Sequence, residues 1–298
     1  MHEYQYYEFM ALDRPLDDRQ RAEIRALSTG ARMTPIRFID EYVTSDFHGD
    51  PRTMMERYYD AHLYVTNWGT HRLMFRLPRG FPGADVVHRY LAAPYVVFWT
   101  HGPHLILDLT SEDEDGDWVE DTEGVLAGVA GVRAELIVGD LRPLYLAWLA
   151  AYGRWEEDDD IFDDGDMDRV EPPVPAGLDA LTPCQLALGG LMRLDPALLA
   201  VAAEGSPARY DLPDDPDALA DWIGALPPHA KDRYLLRIAE GGAIDVRADL
   251  LRRFHDAIEV GTHPVGRPRR TVGELLAAAR ALRAEHGYAD LGAELPPL

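Results

Sequence analysis

Two acid-rich runs divide this chain into stretches that can build a core and stretches that cannot. Ser111–Glu123 (SEDEDGDWVEDTE) carries eight carboxylates and no base, and Glu156–Glu171 (EEDDDIFDDGDMDRVE) carries ten against Arg169 alone. Runs this dense in like charge repel themselves and bring too little apolar surface to offset the entropy of ordering. A core must therefore be assembled from the segments before, between and after them. Together the runs hold −17 of the formal −23, so the rest of the chain is only mildly acidic. The protein reads as an ordinary globular chain with two concentrated negative patches.

Its 298 residues suit one large domain or two ordinary ones, and a hydrophobic fraction of 47% is normal for a folded protein. The longest apolar runs, such as Tyr95–Trp99 and Leu186–Leu191, are far too short for a bilayer, so no membrane association is expected. The opening MHEYQYYEFMALDRP lacks the basic and apolar regions of a signal peptide. Cys184 is the single cysteine, which excludes an internal disulfide or a cysteine zinc cage. A cytoplasmic protein is the expectation. Phosphate backbones need Lys and Arg stripes, and a strong negative field opposes their approach, so direct nucleic-acid binding is not expected. The one short basic cluster, Arg267–Arg270, reads as a turn before a helix. Lysine chemistry would have to use Lys231, the only lysine, and no glycine-rich loop precedes it.

Alternation and turn residues predict strands at Tyr4–Leu12, at Met33–Val43 with an interruption near Pro35, and in two hairpins. One hairpin joins His62–Thr66 to Arg72–Leu77; the other joins Tyr95–Trp99 to His104–Leu109 through Gly102-Pro103. Asp17 or Asp18 caps a helix to Leu27, Asp50-Pro51 opens another through Tyr58, and Ala84–Leu91 reads as a short helix. Val125, Val129, Val132 and Leu136 share one helical face, and Leu141–Tyr152 follows as a second helix. Beyond the Pro-rich Glu171–Gly177, helices are predicted at Thr182–Leu194, Asp195–Ala203, Asp217–Leu226, Pro228–Ala239, Val246–Val260 and Thr271–His286, with a short strand conceivable at Ala243–Val246. The fold class is α+β: an N-terminal, mostly antiparallel sheet with helices, then an all-α C-terminal region. The organisation is an α+β domain over 1–155, an acidic and Pro-rich linker over 156–177, and a helical domain over 178–298.

Candidate chemistry concentrates in Asp46, His48, Asp50, Asp60, His62 and His71, since aspartates and histidines can hold a metal or move protons. Their spacing matches no metal motif, and caps, turns and a half-buried aromatic face explain them better. His101 and His104 are separated by a turn, not aligned on a helix. In the second acidic run, placing Gly165 at the sixth position of a calcium loop puts Asp160, Asp164, Asp166, Asp168 and Glu171 at ligand positions. Phe162 at the third position and Pro172-Pro173 in place of the exit helix spoil that match. No cofactor is predicted. Cys184 at a helix start is read as filler in the core, and no nucleophile or nucleotide-binding motif is present.

The segments YEFMALDRPL, SDFHGDP, DAHLYVTNWGTHRLMFRLP, LILDLTSEDEDGDW, GDLRPLYLAWL and EPPVPAGL together resemble a family of uncharacterised bacterial proteins. The resemblance spans most of the chain, implies an intracellular bacterial protein, and brings no activity. The expectation is a non-enzymatic interaction or adaptor protein. Its docking residues would be Asp113, Asp115, Asp117 and Trp118 in the first run and Asp158, Asp160, Asp164, Asp166 and Asp168 in the second, facing a basic protein partner. The alternatives are a metal-assisted hydrolase using the Asp/His set and an acidic mimic of nucleic acid.

Overall fold

The computed structural model describes residues 3–28, 30–43, 45–80, 87–113, 122–153, 164–207, 216–239, 246, 250, 253–254 and 269–286. The predicted α+β class holds. Seven strands form one sheet: β1 (Tyr4–Met10), β2 (Arg32–Met33), β3 (Arg37–Val43), β4 (Ala61–Thr66), β5 (Thr70–Pro78), β6 (Val96–His101) and β7 (His104–Glu112). Their order is β2-β3-β1-β4-β5-β7-β6, with every pairing antiparallel. The interruption near Pro35 is the turn from β2 to β3, where a residue without an N–H does not break a ladder. The predicted hairpins turn at Gly69 (φ 92°) and Gly102 (φ 55°), left-handed positions that a side chain disfavours.

Strand period two gives the sheet two different faces. On one lie Tyr7, Phe9, Phe38, Met74 and Ile106, covered by Phe47 and by helices α1 (Asp18–Arg25) and α2 (Pro51–Arg57). Asp17 caps α1 in a capping box with Gln20, and Asp50 accepts from Arg52 N and Thr53 N at 3.1 Å each to cap α2. On the other face Tyr6, Leu63, Val65, Leu73, Phe75, Leu105, Leu107 and Leu109 meet the helical region.

That region starts with α3 (Val125–Val129), α4 (Gly131–Ile137) and α5 (Arg142–Gly153). The single predicted helix through Val125–Leu136 is two, broken at Ala130, with Leu126 buried in place of the half-buried Val125. Gly131 makes the break tight: a Cβ there would lie 3.0 Å from Cys184 Sγ. Helix α5 is buried from Arg142 to Tyr152, as expected of a helix apolar nearly all round, and it packs on β6 and β7. Then come α6 (Asp164–Met167), α7 (Pro183–Leu191), α8 (Pro196–Glu204), α9 (Pro216–Ala225), α10 (Pro228–Ala239) and α11 (Val272–His286). Thr182, Asp195 and Thr271 cap α7, α8 and α11. One apolar cluster runs from Tyr6 on the sheet through Trp148 to Ala279, so sheet and helices share a core. Among the described residues no helix is long and apolar enough to cross a membrane.

Three expectations end differently or out of reach. Ala84–Leu91 contains a single 3₁₀ turn, His88–Tyr90, and its first residues lie outside the described ones. Val246–Val260 and Ala243–Val246 lie almost wholly outside them. Glu171–Gly177, which reads as a linker or an extended crossover, is tied into the body. Glu171 N donates to Arg270 O at 2.9 Å, Val170 bridges Thr271, and Tyr90 Oη donates to Pro173 O at 2.9 Å.

Candidate functional site

The six Asp and His residues that the sequence groups together are separated by the strands that carry them. His62 and His71 lie on neighbouring strands, but period two turns His62 to the α1/α2 face and His71 to the helical face. His62 is fully buried and stacks on Phe9 with ring centroids 4.0 Å apart. Its Nδ1–H donates to the Glu8 carbonyl at 2.9 Å, which leaves Nε2 buried with no partner among the described residues. Burial pushes the imidazole down to about 3, so it is neutral across the physiological range.

Asp60 ends a different network. Its carboxylate accepts from Leu12 N (2.7 Å), Asp13 N (3.0 Å) and Arg76 Nη2 (2.7 Å), and Arg133 Nη2 stands 3.8 Å away. Burial alone would raise this carboxyl. The Asp13 N–H and the two guanidiniums outweigh it and hold the pKa below the ordinary value. For Asp50 the Thr53 hydroxyl and two backbone N–H groups overcome burial in the same way. Asp46 is exposed and accepts from Gln5 Nε2 at 2.8 Å; His48 is exposed. Among the described residues, no group of three or more His, Cys, Asp or Glu is placed to hold a metal ion.

Other predicted ligands are also committed or apart. Asp160 lies outside the described residues, Asp164 opens α6, Asp166 is half-buried and Asp168 exposed. Glu171 turns inward. Its oxygens take Arg270 Nη2 (2.8 Å), Arg270 Nε (3.0 Å) and the Tyr145 hydroxyl. Arg270, from the basic cluster, thus serves an internal ion pair and also donates to Val201 O at 2.8 Å. His101 Nδ1 approaches Glu56 at 3.3 Å, and His101 pairs directly with His104 next to the β6–β7 turn. Cys184 is half-buried and donates to Glu135 Oε1 at 3.1 Å. Burial, with the Glu135 carboxylate, raises the thiol pKa, which suits packing and not nucleophilic attack.

Sequence reasoning missed a joint between sheet and helices. Helix α7 ends in a Schellman turn, with Leu194 N bonded to Gly189 O (2.8 Å) and Arg193 N to Gly190 O (3.0 Å). The left-handed position in such a turn usually holds Gly; here it is Arg193, at φ 54°. The side chain explains the choice. Arg193 Nη1 donates to Gly69 O (2.9 Å) and Ser111 Oγ (3.3 Å), and Nη2 to His71 Nε2 (3.1 Å), while His71 Nδ1–H donates to Leu191 O (2.8 Å). The Leu191 carbonyl and the guanidinium together fix which imidazole nitrogen carries the proton. A non-glycine residue, Leu-Met-Arg after a Gly-Gly pair, was the only sequence signal for it.

The joint also anchors the first acidic run. Asp113 lies 3.8 Å from Arg193 Nε. At the other end Glu123 binds Arg32 Nη1 (3.0 Å) and Arg37 Nη1 (3.4 Å), and Arg37 Nε reaches the buried Glu8 at 2.6 Å. Asp115, Asp117 and Trp118 of the first run, and Asp158 of the second, lie outside the described residues. No family model matches this chain, and neither a curated protein nor a solved structure is similar to it.

Proposed function

We propose that this chain is a non-catalytic interaction protein whose acidic runs dock a basic partner. The observation that carries the reading is the double anchoring of the first run: Asp113 faces Arg193 and Glu123 is held by Arg32 and Arg37. Both ends belong to the folded body, so five further carboxylates and Trp118 are carried between two fixed points. Anchored ends reduce the entropy lost when such a segment is ordered on a partner. Concentrated negative charge speeds encounter with a basic surface and makes the complex salt-sensitive. The dispersal of the Asp/His set into separate structural bonds favours this reading over the hydrolase alternative.

Capture experiments test it. The intact chain and a variant with Glu114→Gln, Asp115→Asn, Asp117→Asn, Glu120→Gln and Asp121→Asn are used as bait in lysate at low and high salt. A stoichiometric basic protein should be retained by the intact chain at low salt, and lost both at high salt and with the variant. Equal retention by the variant removes this run as the docking element.

A further inference from the structure

Helix α10 is turned the wrong way for an isolated molecule. It directs Tyr234 into the protein, with Lys231 and Arg237 half-buried at the margins. Its outward face carries Leu235 at 65%, Leu236 at 63% and Ile238 at 44% exposure, the largest cluster of exposed bulky aliphatics among the described residues. A surface helix normally presents its polar face to water, and adjoining exposed Leu and Ile side chains mark a contact surface. The charge here is also of the opposite sign to the rest of the chain. Lys231, Arg233 and Arg237 stand against Asp232 alone on this helix, in a protein of net charge −23, and the exposed Arg253 approaches Tyr234 from a second segment. An occupant must therefore offer bulky apolar side chains set among carboxylates.

The chain contains that chemistry in its own second acidic run. Glu156–Asp163, EEDDDIFD, sets Ile161 and Phe162 between six acids. We propose that Glu156–Asp163 of a second copy docks on the outward face of α10, with Ile161 and Phe162 against Leu235, Leu236 and Ile238 and the acids against Lys231 and Arg233. Pairing α10 with another α10 would bring like charges together, so the contact joins two different surfaces. Each copy keeps one donor run and one acceptor helix, and such a head-to-tail contact propagates into rings or chains. The inference rests on the reading that acidic runs are docking elements, and names a basic patch of this chain as one of the surfaces they dock on.

A labelled peptide of residues 156–163 is titrated with the intact chain by fluorescence anisotropy. The intact chain alone is then followed by sedimentation velocity over a concentration series at low and high salt. The peptide should bind, and Leu235→Ser with Leu236→Ser should weaken it roughly tenfold or more, since each leucine loses its apolar contact. Both positions are exposed, so the variant keeps its fold, which its circular dichroism and unfolding midpoint would verify. A control peptide carrying Ile161→Ser and Phe162→Ser should bind no better than the leucine variant does. The intact chain should associate with rising concentration at low salt and dissociate at high salt. No peptide binding, equal binding by the leucine variant, or a monomer at every concentration would each overturn the inference. None of those results touches the lysate capture by the first run, so the two readings fail separately.

Discussion

His62 shows how one buried side chain sets the pH response of the fold. Its imidazole is neutral in the folded protein, at about 3, and takes up a proton near 6.5 when the chain unfolds. The folded pKa is the lower one, so this contribution to stability is complete above about pH 6.5. It is lost as pH falls from there towards 3, at up to about 1.4 kcal/mol per pH unit. His62→Phe would keep the stack on Phe9 and remove the titration. Urea unfolding from pH 7 down to pH 4 (approximate limits set by the reference His value) should show a shallower decline for the variant; parallel curves would mean that His62 is not the sensor. Nothing in the local sequence AHLYV distinguishes a stacked core histidine from a ligand. The alternation did indicate that His62 and Tyr64 share a face, and that much was legible.

At the level of elements, the end of α7 is where a local rule gives way to a tertiary demand. A left-handed non-glycine residue costs roughly 1–2 kcal/mol, whereas a hydrogen bond from a charged donor contributes about 1.5–3 kcal/mol. Arg193 makes several such bonds to β5, β7 and the β4–β5 turn, so the balance favours arginine. Arg193→Ala loses the bonds and keeps the strained backbone, and should destabilise by about 2 kcal/mol or more. Arg193→Gly loses the same bonds but relaxes the backbone, and should be milder by about 1 kcal/mol. Equal urea midpoints for the two variants would contradict this account. The caps at Asp17, Asp50, Thr182 and Asp195 were readable because each acts within three residues of itself. The joint was not, since Arg193 and Gly69 are 124 residues apart.

For the whole molecule, a formal charge of −23 concentrated in two runs predicts that salt stabilises. Screening weakens repulsion among exposed carboxylates more than it weakens buried pairs such as Glu171 with Arg270. The thermal midpoint should therefore rise with added chloride salt, and rise less for the variant with five acids of the first run neutralised; a midpoint indifferent to salt would show that the runs do not strain the fold. The sequence by itself determined which segments alternate as strands, where helices begin, and hence the α+β class; it did not foresee that Ser111 and Glu171, at the edges of the acid runs, are buried. Those properties follow from side-chain period and from contacts within a turn or two. Only the tertiary structure decided the strand order, the face on which each Asp or His falls, and which arginine neutralises Glu8, Asp60 or Glu171. Each of those depends on partners distant in the chain, whose approach is governed by the packing of the shared core and leaves no local pattern to read.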